Sequence, residues 1–362
     1  MKKIYYITAV FATLFLVGCG DGIDLPGVNV ETDLNKIPLP DNNVNLEQVE
    51  LKPSTEPMLH EGLHTEEDFQ RIRDKKAAGE EPWVSAYQLL VESQFSQKTA
   101  DTYPTEWIKR GISGDENYMN AARGATIVYQ QALRWKIEQD DEYAAKAVEN
   151  LNKWVQTCVG VTGNTNLSLA AGLYGYEFAI AGELLRDYGG WDRADFAAFQ
   201  NWLLKVFYPA NDDFLKRHHD TNALHYWANW CLCNIAAKMA IGIVTDRRDI
   251  YNEGIAHLQT GDTNGRLRRA IYHDYAPDYN FAQWQESGRD QGHTLMCVGL
   301  MGVICQLAWS QGDDFFAYDD NLFLRACEYA ACCNYTNETV PYTTYIWQKQ
   351  SQWGYPIPEE QT

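Results

Sequence analysis

The sequence predicts an all-α fold of sequential helical hairpins, arranged as a complete or incomplete α/α toroid. Three observations carry this. Helix-length apolar segments follow one another through residues 58–362, joined by short connections holding Gly, Asp and Pro. Strand signals are scarce, and Val340–Trp347 is the best of them. No fixed repeat of the kind that builds an α-solenoid is present.

The elements follow in order. Thr65, with Glu66, Glu67 and Asp68 behind it, reads as an N-cap with acids in the first turn. It opens a helix toward Glu92, with a break near Gly79. Further helices are expected over 116–137, 141–157, 166–187, 191–206, 221–243, 247–260, 290–313 and 319–334. Several are apolar on most faces, so an inner layer must be buried by an outer one. A toroid does this and leaves a cleft at one end of its inner ring. After residue 334 no clear helix remains, although the tail holds Trp347, Trp353 and Tyr355. Either the ring lacks its closing helices or the tail folds across the cleft.

Residues 1–19 are set apart from the fold. Met1-Lys2-Lys3 precedes an apolar run that ends in Leu16-Val17-Gly18-Cys19, too short to span a bilayer comfortably. The ending resembles a bacterial lipobox, with Cys19 lipidated; an ordinary cleaved signal peptide is the alternative. Residues 20–57, rich in Asp, Asn, Pro and Gly, read as a flexible linker between that anchor and a single 58–362 domain. No later segment is expected to cross a membrane. The expected location is the cell envelope, on the outer membrane or in the periplasm of a Gram-negative bacterium.

Charge narrows the partners. With 30 Lys+Arg against 49 Asp+Glu the formal net charge is -19, a field that repels nucleic acid and anionic membranes. The chain holds 12 Trp and 22 Tyr, enough for platforms on which sugar rings stack as well as for packing. Beyond Cys19, eight cysteines sit mostly in apolar helical runs without ligand spacing, and read as buried free thiols; no metal is expected.

Three polar clusters stand out. Asn222, His225 and Asn229, at i, i+3 and i+7, would share one face of a 221–243 helix. An imidazole and amides on so apolar a helix need partners, either side chains or a ligand. The run from Gly265 to Tyr275 gathers Arg266, Arg268, Arg269, Tyr272, His273 and Tyr275 in an otherwise acidic chain. Glu286, Arg289 or Asp290, and His293 form a further stripe, read either as a buried network that positions a cleft or as substrate contacts. His218-His219, after Lys216-Arg217, belongs to a solvated loop or to the cleft mouth.

His225-Tyr226-Trp227-Ala228-Asn229-Trp230, the Arg269–Tyr275 run and Glu286-Ser287-Gly288-Arg289-Asp290-Gln291-Gly292-His293 resemble the alginate-lyase-type polysaccharide lyases. Leu59–Thr65 and Leu169–Leu173 are similar too. The resemblance implies an α/α toroid that cleaves a uronic-acid polymer by β-elimination, without a cofactor. It implies His225, Arg269 and Tyr275 as catalytic residues; Asn222, Arg289, His293 and Tyr272 are read from their clusters as substrate-binding ones. Two departures stand beside it. Ala223-Leu224 occupies the place of the family's Asn-His pair, and the interval from Arg269 to Tyr275 is one residue short, an interval that Arg268 keeps.

The chemistry asks for these residue types. The C5 proton of a uronate is too weakly acidic to leave while the adjacent carboxylate keeps its full charge, so Asn, His or Arg must neutralise it. A base then takes the proton and an acid protonates the departing O4. His225 is expected as base or carboxylate partner, Tyr275 as acid, Arg269 as the group tuning Tyr275, and Asn222 on the carboxylate. The expected substrate is an anionic polysaccharide, mannuronate-rich alginate or glucuronan. A glycoside hydrolase on the same toroid would instead need two carboxylates, available from Glu286, Asp290, Asp220 and Asp274. A non-catalytic glycan-binding surface lipoprotein would share the anchor and the aromatics.

Overall fold

The computed structural model describes residues 54–336, 339–350 and 356–361; Cys19, the signal segment and nearly all of the linker lie outside the described residues. The helices are α1 (Glu66–Ala77), α2 (Trp83–Glu92), α3 (Tyr118–Glu138), α4 (Asp141–Thr157), α5 (Leu167–Leu185), α6 (Arg193–Val206), α7 (Tyr208–Arg217), α8 (Ala228–Val244), α9 (Arg248–Thr260), the short α10 (Leu267–Ala270), α11 (Gln291–Ser310) and α12 (Tyr318–Tyr335). Thr65 and Asp68 form a reciprocal capping box at the start of α1, as the sequence suggests. The expected break falls where Gly79 takes a left-handed φ of 70°.

Helices α3, α5, α8 and α11 make the inner ring and α4, α6, α9 and α12 back them, the two layers of an α/α toroid. Helix α4 shows why an outer helix needs one covered face: Tyr143, Ala144, Ala147, Val148, Leu151 and Trp154 form its buried stripe. Helices α5 and α8 are buried almost all round. They run in one direction, because Asn234 Nδ2 meets the Ser168 carbonyl at one end (3.2 Å) and Arg186 meets the Val244 carbonyl at the other (2.9 Å). Their close approach requires Gly172, where a Cβ would lie 2.4 Å from the Cys233 sulfur.

Helix α11 is apolar enough to cross a membrane by length and composition alone, yet most of it is buried inside the domain, as a core helix is. The eight described cysteines are free, and only Cys327 and Cys333 are not fully buried.

Among the described residues, three two-stranded sheets decorate the ring. Strands β1 (Trp107–Arg110) and β2 (Gly160–Gly163) pair in parallel, while β3 (Ile271–Asp274) and β4 (Ala282–Trp284) are antiparallel. The tail forms a hairpin of β5 (Tyr345–Gln350) and β6 (Pro356–Gln361), placed further along than the expected Val340–Trp347 strand. The opposite end of the ring is strapped by residues 59–64. There Gln311 holds the carbonyls of Leu59 and Glu61, His60 meets Asp246, and His64 meets the Tyr129 hydroxyl.

Candidate active site

The site forms at the N-terminal ends of α5, α8 and α11, where unpaired N–H groups and helix dipoles favour negative charge. The first correction lies here: the helix expected from Thr221 begins only at Ala228. Asn222 turns its Oδ1 onto the Leu224 N–H (3.0 Å), a local bond that competes with helix formation. His218, His219 and Asp220 before it all adopt left-handed backbone. Gln285 Oε1 then accepts the Ala228 N–H (2.8 Å), serving as the missing cap. Asn222 and His225 therefore do not share a helix face with Asn229, whose Nδ2 donates to buried Glu286 (2.5 Å).

Released from the helix, Asn222 and His225 face β5. Asn222 donates to the Gln348 carbonyl (3.1 Å) and to Gln350 Oε1 (2.9 Å). Nδ1 of His225 accepts the backbone N–H of Gln350 (2.8 Å), so the neutral ring carries its proton on Nε2. Burial, and secondarily Lys349, lower the His225 pKa. Trp347 lies parallel to the His225 ring, with centroids 5.6 Å apart, and donates its indole N–H to the His225 carbonyl (2.6 Å). The Trp227 ring sits between Trp347 (4.9 Å) and the Arg289 guanidinium (4.4 Å).

The β3–β4 hairpin supplies the phenols. A bulge between Ile271 and His273 leaves Tyr272 as the extra residue, and His273 pairs across the ladder with Gln283. In regular strand Tyr272 and Tyr275 would point to opposite faces; the bulge turns both toward Gln283. Tyr275 donates to Gln283 Oε1, while Gln283 Nε2 donates to the Tyr272 oxygen (2.9 Å). Burial raises the pKa of both phenols.

The arginines separate by partner. Arg268 pairs with Asp319 and lies 3.6 Å from Asp274; Arg289 pairs with Glu286. Arg269 bonds the Asp262 carbonyl and has no carboxylate within ion-pair distance among the described residues. Burial pushes the Tyr345 phenol up to about 12, and the Arg269 charge is a lesser group opposing that rise; the groups acting on Tyr275 do not include Arg269. His293 is held 2.7 Å from Asp290, the N-cap of α11. The Glu286–Arg289 pair, Asp290 and His293 thus form a network at the foot of α11, and Glu286 stands in the turn before the helix. The loop histidines are inside the fold: His218 is buried beside Cys231, and His219 meets the Ser168 hydroxyl (2.9 Å).

Residue type and spacing do not single out Gln283, Thr343, Tyr345 or Gln350 as site residues, while Trp347 belongs to the tail whose folding across the cleft is one of two expectations. Alternation in Ala282-Gln283-Trp284-Gln285 was the available signal for Gln283. Tyr345 also belongs here: its oxygen accepts from Gln285 Nε2 (2.5 Å) and its ring lies 5.1 Å from that of Tyr272.

Alginate lyase A1-III of Sphingomonas species A1, in a single-residue variant complexed with a tetrasaccharide, superposes with a TM-score of 0.57 at 14% identity, over 78% of this chain and 82% of that one. An alginate lyase from Bacteroides ovatus superposes with a TM-score of 0.52 at 14% identity, over 74% and 82%. At that identity they share the fold. No curated protein matches significantly in sequence. The family model described as alginate lyase matches residues 73–338, most of the described domain, and the chain belongs to the alginate lyase family.

Proposed function

We propose that this protein is a polysaccharide lyase that cleaves a uronate polymer by β-elimination, with mannuronate-rich alginate or glucuronan as substrate. The observation that carries the reading is a run of contacts: Tyr275 and Tyr272 share the Gln283 amide, Tyr345 joins Tyr272 to Trp227, Trp347 joins Trp227 to a neutral His225, and Arg269, which has no carboxylate partner among the described residues, acts on Tyr345.

The chemistry follows from those groups. Arg269 and the Nε2–H of His225 bind the carboxylate next to C5 and stabilise the charge that builds there in the enolate-like transition state. His225 acts as donor rather than base, because Gln350 already occupies Nδ1. Tyr275, kept as a phenol by its buried setting, protonates O4 as it leaves. Two phenols on one wall suit a sugar whose C5 hydrogen and O4 lie on the same ring face, as in mannuronate and glucuronate. Guluronate, the C5 epimer, presents them on opposite faces.

Hydrolysis has less support. Of its carboxylates, Glu286 is spent on Arg289 and Asn229, Asp274 on Arg325, Asp220 on Arg217 and Asp290 on capping α11. The reading is tested by the ultraviolet absorbance of the C4–C5 double bond, which only elimination creates: it should rise with poly-mannuronate or glucuronan and stay flat with poly-guluronate. New reducing ends without that absorbance would point to hydrolysis instead. We further propose, from the Leu16–Cys19 motif alone, that the enzyme is lipid-anchored at Cys19 in the cell envelope.

A further inference from the structure

The loop before α8 is held open by side chains from outside it. In a helix continued back to Thr221, the carbonyls of Leu224, His225 and Tyr226 would accept the N–H groups of Ala228, Asn229 and Trp230. Other groups take those places. Asn264 Nδ2 donates to the Leu224 carbonyl (3.0 Å) and to the Tyr226 carbonyl (2.9 Å), and the Trp347 indole takes the His225 carbonyl between them (2.6 Å). The Ala228 N–H goes to Gln285, and the Trp230 N–H to the Trp227 carbonyl (3.1 Å). Both partners of Asn264 can only accept, so chemistry identifies its amide nitrogen as the atom that faces them.

Asn264 is itself buried and braced. Beside it, at the end of α9, the Thr263 hydroxyl bonds His257 (2.6 Å) and the Gly265 N–H (3.1 Å). Gly265 lies so near α8 that a Cβ there would come within 2.5 Å of the Cys231 Cβ. The consequence of this clamp falls on His225. On a helix that ran back to Thr221, His225 would stack above Asn229 and face buried Glu286. Off the helix it reaches β5 and offers Nδ1 to Gln350.

We propose that Asn264 is a positioning residue. By holding the carbonyls on either side of His225, it keeps residues 222–227 off the end of α8 and the Nε2–H of His225 at the substrate carboxylate. This rests on the lyase reading and adds to it a residue that acts through His225. The clamp works against a local preference, because residues 221–227 hold no Pro or Gly that would stop a helix. A buried carbonyl left without a donor costs free energy. Without Asn264 the loop therefore regains its pairs by winding onto α8, and His225 turns away from β5.

The test uses the full chain with nitrogen-15 histidine, the His225 signal being assigned by His225→Gln. It compares Asn264→Leu, which keeps the side-chain size and removes the donors, with Asn150→Leu. Asn150 also donates from a buried position to a carbonyl, that of Ala100 (3.0 Å), but it stands on the outer helix α4. Asn264→Leu should lower kcat/KM on poly-mannuronate or glucuronan about a hundredfold, as a misplaced group does, and His225 should lose its preference for the Nε2–H tautomer. Asn150→Leu should lose stability alone. An Asn264→Leu enzyme with the wild-type kcat/KM would overturn the proposal, and so would a loss of activity with the tautomer unchanged. If Asn264→Leu does not fold, the wild type decides: the side-chain amide protons of Asn264 must exchange slowly with solvent, and free exchange would overturn the clamp. A wild type that makes no unsaturated product would defeat the lyase reading, while the His225 tautomer in Asn264→Leu would still report on Asn264.

Discussion

The backbone N–H of Gln350 donates to Nδ1 of His225 across 2.8 Å, joining the last described strands of the chain to the loop that precedes α8. This contact sets the histidine's chemistry. It fixes the Nε2–H tautomer and is lost if Nδ1 gains a proton.

A pH dependence follows with a definite sign. Burial, and then Lys349, depress the pKa of His225 in the folded protein. The neutral ring, and with it the Gln350 bond, is therefore fully present above the ordinary imidazole value of about 6.5 and is lost as pH falls through the lower folded value. Nitrogen-15 spectra of the histidine should show Nε2 protonated at neutral pH, with no charged ring until pH is clearly below that ordinary value. A ring protonated on Nδ1 at neutral pH would contradict the assignment.

The three arginines should separate in kinetics. Arg269→Ala removes the one of the three with no carboxylate partner among the described residues and should lower kcat/KM by about a hundredfold or more. Arg268→Ala breaks the pair with Asp319 and should act on stability, by about 1 kcal/mol, with activity largely kept. Arg289→Ala leaves Glu286 buried and unpaired, and should lower the melting temperature most of the three. Equal losses of activity in Arg268→Ala and Arg269→Ala would show that the carboxylate partner is misassigned.

Glu177 offers a test away from the chemistry. Burial pushes its carboxyl up to about 8, and its Oε2 has no hydrogen-bond partner among the described residues. A raised carboxyl pKa means that stability is complete below the ordinary value and declines as pH rises toward the folded one. Each unit is worth roughly 1.4 kcal/mol, so Glu177→Gln should be more stable than wild type by a few kcal/mol in mildly alkaline urea titrations and nearly equal at about pH 5. A wild type equally stable at both ends would contradict it.

Much of the ring was legible because periodicity reports burial. The expected 141–157 and 247–260 helices match the observed α4 and α9 almost residue for residue, each having one apolar stripe and a polar back. Helix α7 was missed, since Pro209, Asp212 and Asp213 dilute its apolar signal. The start of α8 was misread for a different reason: Asn222 and His225 happen to fit a helical spacing, but their partners are Gln348 and Gln350, more than a hundred residues away. Periodicity holds no information on such a partner. The site was legible through its residue types, as with Tyr275 and Arg269, whereas Gln283 became visible only once the Tyr272 bulge brought two phenols to one amide.

The central claim is tested most directly by following the absorbance of the unsaturated product on poly-mannuronate, poly-guluronate and glucuronan, for wild type and Tyr275→Phe. The account predicts a rise on poly-mannuronate or glucuronan that the substitution lowers by a hundredfold or more, on the order expected for loss of a general acid. A flat wild-type trace, or a Tyr275→Phe enzyme as active as wild type, would contradict it.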